Sequence, residues 1–80
     1  MKYFIEDGNA LKAMFPFGSF IEAVDFVNQV ADVAIQEDHH PDILLHDGKA
    51  VTITTTTHDQ GNTITDKDRN LAKAIEALMD

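Results

Sequence analysis

The sequence predicts an α+β domain with the order β-β-α-β-β-α, in which two hairpins form a four-stranded antiparallel sheet with two helices on one face. Two turn clusters, Asp7-Gly8-Asn9 and Asp47-Gly48, each separate short β-forming runs, as in hairpins. Apolar residues at helical spacing follow each hairpin, after the capping residues Ser19 and Thr65. No linker or low-complexity segment interrupts the chain, so we expect a single domain over residues 1–80.

The first hairpin is predicted to pair Tyr3–Ile5 with Ala10–Phe17. Alternate residues of the second arm share one apolar face, whereas Lys12 lies on the other. The residues of the apolar face are Leu11, Ala13, Phe15 and Phe17. Pro16 lacks a backbone donor, so we expect it on an edge strand or at a strand end.

The first helix is predicted to begin with a capping box formed by Ser19 and Glu22. Residues at helical spacing form its main apolar stripe: Phe20, Ala23, Val24, Val27, Ala31 and Ala34. Further apolar residues widen that surface: Ile21, Phe26, Val30 and Val33. We therefore expect one face to meet the sheet and another to meet a partner subunit, although a broad core is an alternative. The helix should end by Asp38–His40, because the residue before Pro41 disfavours helical geometry.

The second hairpin is predicted to pair Ile43–His46 with Lys49–Thr57. Val51 and Ile53 face the core, two threonines continue that row, and His58 falls on the opposite face. A last helix should begin at Thr65, where acidic residues favour the positive end of the helix dipole. Its buried stripe is Leu71, Ala72, Ile75, Leu78 and Met79, and its outer residues are Arg69, Lys73 and Glu76.

Charge and composition exclude several classes of function. Fourteen acidic against six basic residues give a formal net charge of -8, which repels nucleic acids and anionic membranes. The N-terminus does not resemble a secretion signal, no apolar run reaches membrane-spanning length, and the lack of cysteine fits a cytoplasmic protein. A chain this small buries a limited core, so we expect a homodimer or homotetramer.

Three of the four histidines lie at predicted element ends: His39 and His40 at the helix exit and His58 at a strand exit. Histidine titrates near neutral pH, so we expect these side chains to form a proton-handling site. A metal site is the alternative, but adjacent side chains diverge and no cysteine completes a ligand set. We therefore predict no metal, and we assign His46 no role.

Several short stretches, in this order, resemble those of pterin-4a-carbinolamine dehydratases. They are His39-His40-Pro41-Asp42, Thr57-His58-Asp59, Gly61, Thr65-Asp66-Lys67-Asp68 and Leu71-Ala72. The resemblance implies a hydro-lyase that converts 4a-hydroxytetrahydrobiopterin to the quinonoid dihydropterin and water, in tetrahydrobiopterin recycling. It also implies that the pterin is the substrate and that no metal or bound cofactor is needed.

The resemblance matches His39, His40 and His58 to the family's active-site histidines. We expect His39 and His58 to transfer protons and His40 to orient the pterin. Nearby acids are candidates for orienting the substrate or the imidazoles: Asp38, Asp42, Asp59 and Asp68.

The chain departs from the family pattern beside the histidines. It carries Ile35-Gln36 where members usually have Glu-Lys, and Ile43 where they have tryptophan. A dehydratase-like protein acting on another pterin, such as a molybdopterin-type compound, is therefore a variant of the hypothesis.

Animal members of the family also serve as dimerisation partners of a homeodomain transcription factor, so an interaction module is a second alternative. A structural domain with incidental histidines is the third.

Overall fold

The computed structural model describes residues Met1–Asp80 and contains one antiparallel sheet and two helices. The elements are β1 (Ile5–Asp7), β2 (Ala10–Pro16), α1 (Phe20–Glu37), β3 (Asp42–His46), β4 (Ala50–Thr55) and α2 (Asp66–Ala77). A 3₁₀ turn at His58–Gln60 lies between β4 and α2. The strand order β1-β2-β4-β3 joins the two hairpins through their second strands. This arrangement confirms the predicted α+β class and element order.

The β3–β4 hairpin has the turn that its sequence predicts. Asp47 and Gly48 both adopt positive φ angles, 55° and 74°, as expected of Asp-Gly between paired strands. The turn sets a register in which His46 pairs with Ala50 and Asp42 pairs with Thr54. Because side chains alternate between faces, this register decides which residues of β4 point inward.

The core lies between one face of the sheet and both helices. The predicted inward rows are buried except for Phe17, which lies beyond β2 and is half-buried, and their apolar residues form one cluster with the helices. The buried residues of these rows are Leu11, Ala13, Phe15, Val51, Ile53 and Thr55, followed by Thr57 just beyond β4. On the opposite face, Met14 and Leu44 are exposed. Neither helix is long and apolar enough to cross a bilayer.

The buried stripe of α1 differs from the predicted one. Its fully buried residues are Ala23, Phe26, Val30 and Ala34, whereas Phe20 is 56% exposed. The ring of Phe26 packs against Phe15 and Phe17, with centroid distances of 4.8 and 5.0 Å. This large mid-helix side chain therefore decides which face is turned inward. Phe20, Ile21 and Ile35 remain exposed on the outside, and the role of that surface in self-association stays a prediction.

Side-chain caps begin both helices. Ser19 accepts the N–H of Glu22 at 3.2 Å, but the Glu22 carboxylate accepts from Gly18 rather than from Ser19. The predicted box is thus shifted by one residue. At α2, Thr65 and Asp68 form a complete capping box. Such caps contribute about 1 kcal/mol each.

Glu76 lies in the last turn of α2 and holds the N-terminal segment. Its carboxylate accepts the backbone N–H groups of Lys2, Tyr3 and Phe4, with distances of 3.2 Å to Lys2 and 2.9 Å to Phe4. Burial by itself raises the pKa of Glu76, but these three donors outweigh it and hold the pKa below its ordinary value. The prediction that Glu76 points outward is therefore wrong, because unpaired backbone donors at the start of the chain recruit it.

Candidate active site

Asp68, in the first turn of α2, is the centre of a buried polar cluster and has no exposed surface. The hydroxyl of Thr55 donates to its Oδ1 atom and the hydroxyl of Thr57 to its Oδ2 atom, both at 2.7 Å. The N–H of Thr65 donates to Oδ2 at 3.0 Å. The inward row of β4 thus changes from apolar to hydroxyl-bearing side chains where it meets the start of α2.

His39 completes this cluster from the end of α1. Asp38 adopts a left-handed conformation with φ of 52°, which ends the helix, and the N–H of His39 then caps the carbonyl of Ala34 at 3.1 Å. The side chain of His39 is only 12% exposed, and its Nε2 atom lies 2.7 Å from Oδ1 of Asp68. Three separate elements therefore meet at one carboxylate.

The charge of Asp68 determines which ring nitrogen of His39 carries the hydrogen. Burial raises the pKa of Asp68, but hydrogen bonds from Thr55, Thr57, Thr65 and His39 outweigh it and lower the pKa from 3.8 to about 2. The carboxylate is therefore ionised at neutral pH and can only accept hydrogen bonds. Nε2 of His39 must carry the hydrogen, so in the neutral ring the lone pair is on Nδ1.

His40 lies outside the cluster that contains His39. It is exposed and borders a groove of about 230 Å³ between α1 and β3. The other lining residues are mostly apolar: Ala31, Ala34, Ile35, Pro41 and Ile43. Two residues at which the chain departs from the usual family pattern, Ile35 and Ile43, thus form walls of this groove.

His58 lies beyond β4, which ends at Thr55, two residues before the predicted strand end at Thr57. The chain leaves the ladder because the N–H of Thr57 bonds to the carbonyl of Thr63 at 2.9 Å. His58 begins the 3₁₀ turn and is exposed, and its Nδ1 atom lies 2.7 Å from Oδ1 of Asn62. It makes no hydrogen bond to another histidine, but it directly follows Thr57, which binds Asp68.

Of the four candidate acids, only Asp68 bonds to a histidine. Asp38, Asp42 and Asp59 are exposed, and Asp59 lies 4.0 Å from Lys67 in an ion pair. His46 bonds to its neighbour Asp47 and to Thr52. No group of three or more His, Cys, Asp or Glu side chains is arranged to hold a metal ion.

Thr55 and Thr57 are site residues that the sequence analysis placed in the inward row without giving them a function. Their β-propensity suffices to explain a threonine run on a half-exposed face. The sequence nevertheless contains a signal for their role, because Thr55 and Thr57 continue the inward row of Val51 and Ile53. A buried hydroxyl requires a hydrogen-bond partner, so that row predicts a polar group opposite it.

Comparison with known proteins decides the family. Residues 2–78 match the family model described as Pterin 4 alpha carbinolamine dehydratase. The chain belongs to this family. A pterin-4-alpha-carbinolamine dehydratase, provisionally so named, from Sulfurisphaera tokodaii is 42% identical over 79 residues, which are 99% of the chain and 83% of the relative. A protein with the same provisional name from Picosynechococcus is 46% identical over 70 residues, 88% of the chain and 74% of the relative.

Two solved structures extend the comparison to the dehydratase fold. A transcriptional coactivator/pterin dehydratase from Brucella melitensis superposes with a TM-score of 0.80 at 33% identity, covering 90% of the chain and 76% of that protein. A pterin dehydratase-like protein identified as a RuBisCO assembly factor in the alpha-carboxysome gives 0.76 at 25% identity, covering 95% and 88%. Proteins of this fold thus include one described as an assembly factor.

Proposed function

We propose that the chain is a 4a-hydroxytetrahydrobiopterin dehydratase that uses histidine acid/base catalysis. The observation that carries the proposal is the 2.7 Å contact between His39 and the buried carboxylate of Asp68, in a member of the dehydratase family. In the reaction the C4a–O bond breaks, the hydroxyl accepts a proton and leaves as water, and a ring nitrogen loses a proton. No oxidant or reductant is consumed, so the proposed reaction requires proton carriers and no redox cofactor.

His39 is suited to be one of these proton carriers. Its Nδ1 atom has no hydrogen-bond partner within the protein, whereas Nε2 is held by Asp68. When Nδ1 accepts a proton, the resulting positive charge lies beside a carboxylate that is already ionised. This arrangement orients the ring and stabilises its charged form, as in other catalytic Asp–His pairs.

His58 is proposed as the second proton carrier and His40 as the residue that orients the pterin. Oδ1 of Asn62 accepts from Nδ1 of His58, so Nε2 of His58 is free to meet a substrate. His40 stands beside the apolar groove, where it can contact one edge of a flat ring. The exposed carboxylates of Asp38, Asp42 and Asp59 surround these histidines along the chain, and we propose that they accept hydrogen bonds from the amino and N–H groups of the pterin.

The decisive experiment is a dehydration assay with 4a-hydroxytetrahydrobiopterin generated in place. The wild-type chain should exceed the spontaneous rate, and His39→Ala should lower turnover by about 100-fold or more. His46→Ala is the matched control, because His46 bonds only within its own hairpin and should retain turnover. A folded wild-type protein without any rate above the spontaneous one overturns the proposal.

A variant of this function concerns the pterin itself. The walls formed by Ile35 and Ile43 differ from those usual in the family, so a molybdopterin-type compound is the alternative substrate class. Binding of a panel of pterins, followed through the imidazole resonances of His39, His40 and His58, separates the two. Tighter binding of the molybdopterin-type compound would favour that compound as the substrate class over the tetrahydrobiopterin derivative.

The second candidate function is an interaction module. It is favoured by the exposed apolar side chains of Phe20, Ile21 and Ile35 on α1. We propose that this surface supports a homodimer or homotetramer, and that it binds another protein if the chain is not an enzyme. Light scattering of wild-type and Ile21→Glu protein tests self-association. A monomeric wild-type protein would contradict the oligomer.

A further inference from the structure

The two oxygens of Asp68 receive different donors. Oδ1 accepts from the hydroxyl of Thr55 and from Nε2 of His39, each at 2.7 Å. Oδ2 accepts from the hydroxyl of Thr57 and the N–H of Thr65. Thr55 and His39 therefore share a single buried oxygen atom, and the strength of one bond affects the other.

We propose that Thr55 is a positioning residue that sets the proton affinity of His39, by drawing the negative charge of Asp68 Oδ1 away from the imidazole. Thr55 acts only through Asp68, to which its hydroxyl donates, and is not proposed to touch the substrate. Its catalytic consequence rests on the proposed dehydratase function. Its effect on His39 does not, because that effect is a property of the folded chain.

The direction of the effect follows from the charge of Asp68. One hydrogen bond to a charged group is equivalent to a change of about 1 to 2 units in the pKa of a carboxyl. The pKa of Asp68 is about 2, so without the Thr55 hydroxyl this carboxylate remains ionised at neutral pH. Its Oδ1 atom then has His39 as its sole donor, and the protonated imidazole is stabilised more strongly. Loss of the hydroxyl should raise the proton affinity of His39.

Few other charged groups face His39. Asp68 meets it from α2, and Asp38 and His40 flank it on the chain. From the β4 side the neighbours of Asp68 are the hydroxyls of Thr55 and Thr57, with His58 next along the chain. Asp38 is exposed, so water screens its charge. A change at Thr55 leaves these groups in place, and a shift in the His39 titration can be assigned to the shared oxygen.

The test follows the His39 imidazole by NMR through a pH titration of wild-type, Thr55→Val and Thr55→Ser protein. Valine matches threonine in shape but lacks the hydroxyl, so the midpoint should rise by about one pH unit. Serine restores the hydroxyl and should restore the wild-type midpoint. Thr54→Val is the matched control, because Thr54 lies on the opposite face of the same strand and is not among the hydrogen-bond donors of Asp68. It should leave the midpoint unchanged.

Thr57→Val provides an independent measurement. Thr57 donates to Oδ2, the oxygen not shared with His39, so its removal should raise the same midpoint by less than Thr55→Val does. If Thr55→Val does not fold, Thr55→Ala, which also lacks the hydroxyl, takes its place, and an unmoved His39 midpoint in that variant overturns the proposal. If Thr55→Val folds, an unmoved midpoint, or an equal rise in Thr54→Val, overturns it.

Turnover separates this proposal from the proposed function. In an active enzyme, the acidic limb of the kcat/KM profile should shift upward in Thr55→Val by the same amount as the NMR midpoint. A merely structural role would lower activity without moving that limb. A wild-type protein without dehydratase activity, but with a raised midpoint in Thr55→Val, would overturn the function and support the role of Thr55.

Discussion

Asp68 and Glu76 lie in the first and last turns of α2, and each carboxylate accepts hydrogen bonds from distant parts of the chain. Asp68 binds three side chains and one backbone N–H group. Glu76 binds three successive backbone N–H groups at the start of the chain. In both cases the donors outweigh the cost of burial, and the pKa of each acid is lowered.

The two acids differ in the chemistry of their donors. Among the donors of Asp68 is His39, whose imidazole exchanges protons near neutral pH. The donors of Glu76 are backbone amides, which do not titrate. The same arrangement of a carboxylate and several donors therefore modulates a proton carrier at one end of the helix and secures a chain segment at the other. What distinguishes a site from a structural contact here is the donor, and the acid alone does not reveal it.

Asp68→Asn, at the start of α2, should produce the largest effect on both stability and turnover. Asparagine is uncharged and brings an NH₂ group toward donors that need an acceptor, so we expect stability to fall by about 2 to 3 kcal/mol. Turnover should fall by about 100-fold or more, because the protonated His39 loses its counter-ion. Urea unfolding and the dehydration assay measure the two effects. Unchanged turnover in a folded Asp68→Asn protein would remove the distinction between the two ends.

Acid should lower the free energy of unfolding by about 2 kcal/mol through Asp68, at the start of α2. The pKa of Asp68 is about 2 in the folded chain against an ordinary value of 3.8, so its stabilising contribution is complete above the ordinary value. That contribution is lost as the pH falls through 3.8 toward 2. Glu76 changes stability in the same direction, because its pKa is lowered too. Urea unfolding at a series of acid pH values should show a smaller decline for Asp68→Asn than for wild type, and parallel curves would contradict this.

Glu76→Gln should produce the smallest effect, a loss of about 1 kcal/mol of stability. Glutamine keeps one acceptor oxygen for the N-terminal amides but loses the charge, and turnover should remain unchanged. Asp32→Asn is the matched control for removing one negative charge, since Asp32 is exposed and makes no hydrogen bond through its side chain. A loss of turnover in Glu76→Gln comparable to that in Asp68→Asn would show that the N-terminal contact also supports the site.

Local patterns were sufficient to predict much of the fold. Alternation identified the inward rows of β2 and β4, Asp47-Gly48 identified the second turn, and Thr65 identified the start of α2. Each of these signals depends on neighbours within a few residues. The buried face of α1 could not be assigned in this way. Ten apolar residues lie between Phe20 and Ala34, and the contact of Phe26 with Phe15 decides among them only in three dimensions.

The histidine positions were predictable, but their surroundings were not. His39 lies 29 residues from Asp68 in sequence, and local spacing does not show that these two side chains meet. The end of β4 at Thr55 also depends on the contact between Thr57 and Thr63, which moves His58 into a 3₁₀ turn. Polar residues in an apolar row, such as Thr55, are the sequence signal that would have pointed to the cluster.

The contact between Glu76 and the first residues also has a consequence for biosynthesis. Its hydrogen bonds join residues separated by 72 to 74 positions, so they cannot form until Glu76 has left the ribosome. The ring of Phe4, which is buried in the core, must also await its helical neighbours. A nascent chain that stalls before Glu76 therefore leaves the segment before β1 without these hydrogen bonds. We expect a truncated product of this kind to be removed by proteases, whereas a chain that includes Glu76 can form this contact cooperatively with the rest of the fold.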